Sequence, residues 1–231
     1  MLRLDKVTSY YGKTPILQNV SLDVAAGECL CILGRNGVGK TTLMQTIMGL
    51  TTRTTGALLL NGEEIGSKRT AQRAQAGLGY VPQGRRILGK FTVRENIVLG
   101  TFARGDGNSA IPSICLELFP YLADNLDKKA GLLSGGQQQQ LAIARALATD
   151  PKILLLDEPM EGIQPNIVSD IQAALVRLNR ELGITLLLTE QHIKMAKSMS
   201  DKFIILDIGR VVSSGKSGDL TQEVIDKHLS I

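Results

Sequence analysis

Between an apolar run, Glu28-Cys29-Leu30-Cys31-Ile32-Leu33, and a stretch with helical spacing, KTTLMQTIMGL at 40–50, the chain carries Gly34-Arg35-Asn36-Gly37-Val38-Gly39-Lys40-Thr41. This is the spacing G-x-x-x-x-G-K-[ST] in its proper setting, after a strand and opening a helix. The glycines let main-chain N–H groups close around phosphate oxygens, and the helix N-terminus adds positive potential. Lys40 reaches toward β and γ phosphates, and the Thr41 hydroxyl can hold Mg²⁺.

A phosphate loop needs a carboxylate that orders a metal at the end of a neighbouring strand. Lys152-Ile153-Leu154-Leu155-Leu156-Asp157-Glu158 offers two in succession. Asp157 is expected to order the Mg²⁺ shell and Glu158 to polarise an attacking water or accept its proton, at the carboxyl edge of the sheet.

The 231 residues suit one domain, or one core with an inserted lobe. The longest apolar stretches, such as ILLL at 153–156, fall far short of the ~18 residues that a membrane span needs. Charges at Arg3, Asp5 and Lys6 argue against a signal peptide, which points to the cytosol. Cys29, Cys31 and Cys115, with only His192 and His228 beside them, make no convincing metal set. Cys29 and Cys31 are expected to pack as small apolar residues. A net charge of +4, no Trp, and four each of Tyr and Phe do not describe a nucleic-acid binder. The charge is polarised, however, because residues 65–104 carry +7.

Strands are expected at 2–7, 16–24, 28–33 and 56–62, then at 152–157 and 184–189, the last two each followed by a helix. Apolar strands alternating with helices imply a parallel sheet covered on both faces. In the middle, about 92–150, strand signals disappear. Thr92-Val93-Arg94-Glu95 reads as a capping box, Pro112 can open a second helix, and Gly136 to Ala148 reads as a third. Residues 92–150 are therefore expected to form an inserted helical lobe, with 1–91 and 151–231 as the core of a single domain.

Leu133-Ser134-Gly135-Gly136-Gln137 precedes that third helix, with a hydroxyl and exposed glycine N–H groups at a helix start. The order of phosphate loop, YVPQGR, LSGGQ and LLLDEP resembles the ATP-binding subunits of ABC transporters over essentially the whole chain. The resemblance implies a P-loop NTPase (RecA-like) α/β core with a mainly parallel sheet, an N-terminal antiparallel β subdomain and an inserted α-helical subdomain. It implies ATP and Mg²⁺, hydrolysis coupled to transport, and a head-to-tail dimer in which Leu133, Ser134, Gly135, Gly136 and Gln137 face the γ-phosphate held by the opposite protomer. Partners are then a second ATPase subunit, paralogous or identical, membrane permease subunits, and indirectly an external solute-binding protein. The location is cytoplasmic, peripheral on the membrane through the permeases.

Further positions follow from the resemblance. Thr42 joins the phosphate loop in the nucleotide set, Tyr11 corresponds to the aromatic that stacks on adenine, and Gln83 to the residue that contacts Mg²⁺ and the attacking water. Glu161-Gly162-Ile163-Gln164-Pro165 occupies a loop that crosses the dimer interface in relatives. Where the family usually places a switch histidine, this sequence has Gln191, with His192 one place late. Either could serve, and opposite-facing neighbours on a strand end favour Gln191. Met160 stands where relatives often have Ser or Thr. Gln191 after Glu190, PQGRR and a short C-terminus resemble the subfamily serving branched-chain amino acid and urea importers, and EGIQP most resembles the urea subunit. A soluble ABC ATPase acting on nucleic acid is the alternative class, but it usually needs long coiled-coil insertions or two fused engines. The +7 stretch flanks Gln83 and runs into the helical lobe, where the family docks its permeases.

Overall fold

Three strands, β3 (Cys29–Leu33), β7 (Ile153–Asp157) and β8 (Thr185–Glu190), are buried at every residue. Continuous burial of this kind arises when both faces of a sheet are covered, and these three sit at its centre. The computed structural model describes residues 1–191 and 193–229. Before the central strand come β1 (Leu2–Tyr11) and β2 (Thr14–Val24), and after it α1 (Lys40–Met48), β4 (Arg53–Leu60), β5 (Glu63–Glu64), α2 (Thr70–Gln75) and β6 (Leu78–Val81). Then follow α3 (Val93–Thr101), α4 (Ser113–Glu117), α5 (Pro120–Asp124) and α6 (Gly135–Leu147) without an intervening strand. Beyond β7 lie α7 (Pro165–Arg180), β8, α8 (Ile193–Met199), β9 (Lys202–Asp207), β10 (Arg210–Lys216) and α9 (Gln222–His228).

Two sheets result. One is antiparallel, in the order β2-β1-β4-β5; the other runs β10-β9-β3-β8-β7-β6 and is parallel except at β10. Side-chain alternation along β3 divides the interior. Leu30 and Ile32 join Leu2, Leu4, Val20, Leu43, Ile47 and Leu155 between the sheets and α1. Cys29, Cys31 and Leu33 face the other way, toward Leu141, Ile143, Ile171 and Leu175 of α6 and α7. The two cysteines pack as expected, at 1% and 0% exposure. Met160 is buried in this second core, which accounts for an apolar side chain at that position.

Local chemistry sets the ends of the helices. Thr92 caps α3 through the Glu95 N–H while Glu95 accepts from the Thr92 N–H, the reciprocal box read from the sequence. Helix α1 stops at Met48 because Gly49 turns left-handed at φ 74, so Leu50 falls outside it and is half exposed. Pro112 precedes a helix of only one turn, since Pro120 starts a new one. Strand β4 begins before Gly56, whose φ of 88 and close approach to the Lys6 carbonyl form an irregularity that sequence alternation does not display. The short β6, the edge strand β10 and α9 lie outside the elements expected from the sequence. The first is four residues interrupted by Gly79, and β10 alternates between exposed and half-buried residues.

Candidate functional site

Strand β3 delivers the chain into the phosphate loop at Gly34, where a side chain is excluded because a Cβ would lie 2.5 Å from the Leu206 carbonyl oxygen of β9. The loop ends at Gly39, φ 110, which caps α1 without any side-chain acceptor, so the first-turn N–H groups face the cleft. That cleft, about 290 Å³, is lined by Ile16, Arg35, Asn36, Gly37, Gly39, Lys40, Thr41, Thr42, Gln83 and Glu158. Val38 is 8% exposed and packs in the core between the sheets, holding the loop down.

Lys40 is 4% exposed, and its Nζ donates to the carbonyls of Gly34 at 2.7 Å and Arg35 at 3.0 Å. It also lies 3.0 Å from Glu158 Oε1. The same oxygen accepts from Gln191 Nε2 at 2.9 Å, while Glu158 Oε2 accepts from Gln83 Nε2 at 3.2 Å. Gln191 Nε2 also reaches Asn36 Oδ1 at 2.7 Å, and Gln83 Nε2 reaches Glu161 Oε2 at 2.8 Å. Lys40, Gln83 and Gln191, scattered along the chain, thus meet on one carboxylate. Glu158 itself adopts φ 47, a left-handed conformation that costs a non-glycine residue energy and is found where surroundings enforce it. His192, the other candidate for the switch position, lies outside the described residues.

Asp157 ends β7 at 1% exposure. Its Oδ1 accepts from the Thr189 hydroxyl at 2.9 Å, and that hydroxyl accepts the Glu158 N–H at 2.8 Å. Thr189 therefore holds the Asp157 carboxylate and the Glu158 main chain from the adjoining strand, a role sequence reading missed although its β8 position is paired with Asp157. Burial pushes the Asp157 carboxyl above its usual range, offset by the Thr189 and Thr41 hydroxyls. The second oxygen, Oδ2, is buried and accepts no hydrogen bond from the described residues. An orphaned carboxylate oxygen on a cleft that Thr41 and Gln83 also line fits a hard divalent cation such as Mg²⁺, directly or through water. Behind this point a second cleft of about 340 Å³ is lined by Thr41, Gln45, Leu50, Tyr80, Pro82, Gln83, Arg86 and Asp157.

Tyr11 stands at the end of β1, 42% exposed, and its hydroxyl donates to Gln45 of α1. It does not line the phosphate cleft; Ile16, unmarked in the sequence, does. The signature residues also stay out of their own cleft. Ser134 caps α6, its hydroxyl accepting the Gln137 N–H at 3.4 Å and its N–H donating to Gln137 Oε1 at 2.9 Å. Gly135 and Gly136 have a packing role besides N–H exposure. A Cβ on the first would meet the Arg85 guanidinium at 2.9 Å, and on the second the Ile167 Cγ2 at 2.6 Å.

Comparison with known proteins identifies the family. A family model for the ABC transporter matches residues 17–161, more than half of the chain. The high-affinity branched-chain amino acid transport ATP-binding protein BraG of Pseudomonas aeruginosa is 39% identical over 213 residues, 92% of this chain and 91% of its own length. The probable branched-chain amino acid transport ATP-binding protein LivF of Archaeoglobus fulgidus is 34% identical over 224 residues, covering 96% and 94%. Among solved structures, the cassette MJ0796, in a dimeric post-hydrolysis state bound to ADP and Pi, superposes with a TM-score of 0.83 at 28% identity, over 94% of this chain and 99% of that one.

Proposed function

The chain belongs to the ABC transporter family of ATP-binding cassettes, and from that premise we propose that it hydrolyses ATP on the cytoplasmic face of a membrane to energise an importer. The observation that carries this reading is the convergence of Lys40, Gln83 and Gln191 on Glu158 at the mouth of the phosphate loop. The γ-phosphate of ATP entering the cleft would draw the Lys40 ammonium, leaving the two glutamine amides to orient the carboxylate. Glu158 then takes the proton of a water whose oxygen attacks the γ-phosphorus, and the bond to the β-phosphate oxygen breaks, releasing ADP and phosphate. Mg²⁺ held by Thr41 and Gln83, with Asp157 acting through water, would neutralise charge on the β and γ oxygens. Tyr11 supports the adenine.

Because Leu133 to Gln137 lie outside their own cleft, they would complete the site of a second ATPase subunit, paralogous or identical, in a head-to-tail dimer. Residues 92–150 form the lobe that moves on closure and meets the permeases, which in turn receive cargo from an external binding protein. Nucleic acid has no part in this scheme.

Two observations bear on cargo. Glu161-Gly162-Ile163-Gln164-Pro165 favours urea, and the names of the relatives favour branched-chain amino acids. The ATP site touches neither, so the discriminating experiment is uptake of labelled urea and labelled leucine in a deletion strain. Loss of urea uptake alone supports the first reading; loss of leucine uptake alone replaces it with the second.

A further inference from the structure

Immediately after Gln83 the chain makes an unusual turn. Gly84, Arg85 and Arg86 all have positive φ, at 77, 65 and 44, and the Arg86 N–H folds back on the Gly84 carbonyl at 2.6 Å. For Gly84 this is free of cost, but two successive L-residues in this region are strained. Something outside the turn has to hold it. The nearest holder is Arg145, a half-buried side chain on the last turn of α6, whose Nη2 donates to the Arg86 carbonyl at 2.8 Å and the Arg85 carbonyl at 3.2 Å. Burial keeps this guanidinium below its ordinary value, so its charge is directed at those carbonyls in a poorly solvated place. The backbone of α6 is itself fixed here, since only a glycine at 100 lets α3 approach the Arg145 carbonyl. At the other end of α6 the Arg85 guanidinium covers Gly135 and reaches toward the Gly162 carbonyl at 3.5 Å.

We propose that Arg145 is a positioning residue for Gln83: by binding the Arg85 and Arg86 carbonyls it holds the left-handed turn that aims Gln83 at Glu158, and so ties that aim to the orientation of the signature helix. The inference rests on the ATPase reading for its kinetic consequence, though the clamp itself is a matter of backbone geometry. Loss of the clamp leaves the turn to relax toward negative φ, which swings the Gln83 amide away while the phosphate loop is untouched. Strain relief supplies a sharp test, because glycine tolerates φ 44 whereas alanine keeps the Cβ that makes it costly.

In the full-length chain, Arg145→Met should lower kcat for ATP about tenfold with KM within about twofold, matching the loss of a contact used in the transition state. Amide hydrogen exchange over 84–88 should rise while that over 35–45 stays constant. Adding Arg86→Gly should restore most of the lost kcat and the protection; adding Arg86→Ala, which removes the same charge, should not. If Arg145→Met does not fold, Arg145→Lys, which can reach one carbonyl at a time, carries the same glycine-against-alanine comparison. Unchanged kcat and exchange in the Arg145 variant, or equal recovery with glycine and alanine, would overturn the proposal. Absence of turnover in the unmutated chain would instead count against the ATPase reading, with the exchange pattern still deciding the clamp.

Discussion

Arg73 shows how one residue can hold a catalytic helix from behind. It is 3% exposed, and its guanidinium donates to the carbonyls of Thr46 and Ile47 at the end of α1 and of Gly66 and Lys68 in the next loop. A cation there complements the helix dipole at the end opposite the phosphate loop. Replacing it with Met leaves four carbonyls without that donor, and Arg73→Met is expected to lower the thermal midpoint by about 5–10 °C, equivalent to roughly 2–3 kcal/mol. A midpoint unchanged from that of the unmutated protein would remove this role. The thiols make a pH-dependent case. Burial pushes Cys29 and Cys115 from the ordinary 9.0 up to about 12 and raises Cys31 as well. A group raised on folding contributes stability that is intact below 9 and lost as pH climbs toward 12, so alkaline unfolding should begin in that window. At pH 8 a thiol ionising near 12 carries about one thiolate in ten thousand, so a thiol-specific chromogenic reagent should label none of the three until denaturant is added. Rapid labelling of the folded chain would contradict the burial.

At the scale of elements, the crossing of α6 and α7 is set by Gly136 against Ile167. Alanine for glycine inside a helix ordinarily stabilises by up to about 1 kcal/mol. Here a methyl would sit 2.6 Å from Ile167 Cγ2, close to the branch point, where the side chain cannot swing aside. Gly136→Ala is therefore expected to destabilise by about 1–3 kcal/mol in urea unfolding, and to become stabilising in an Ile167→Ala background. A stabilising effect in both backgrounds would show that the helices do not meet there. Much at this level was legible beforehand. The buried strands carried uninterrupted apolar runs, Thr92 announced its helix through Glu95 three residues on, and Gly34 to Thr41 stated its own geometry. The signals that were silent had physical reasons. Strand β6 is too short to show a period, Thr189 acts through a cross-strand pairing invisible in linear order, and Ile16 enters the cleft from a sheet that sequence patterning could not orient toward it.

For the molecule as a whole, the charge asymmetry of residues 65–104 is smaller in space than along the chain. Arg73 is internal, Lys68 pairs with Glu63 at 2.5 Å, and Arg94 pairs with Asp127 at 3.3 Å. What remains exposed near Gln83 is chiefly Arg86 and Lys90, a modest basic edge. Among the described residues no helix is long and apolar enough to cross a membrane. The phosphate loop, the Gln83 segment, β7 and β8 all converge on Glu158. The most direct measurement is ATP turnover beside ATP binding in Glu158→Gln. Nucleotide should bind with affinity unchanged or tighter while turnover falls at least about a hundredfold, the size expected for loss of a general base. Turnover at the unmutated rate would place the water-activating group elsewhere.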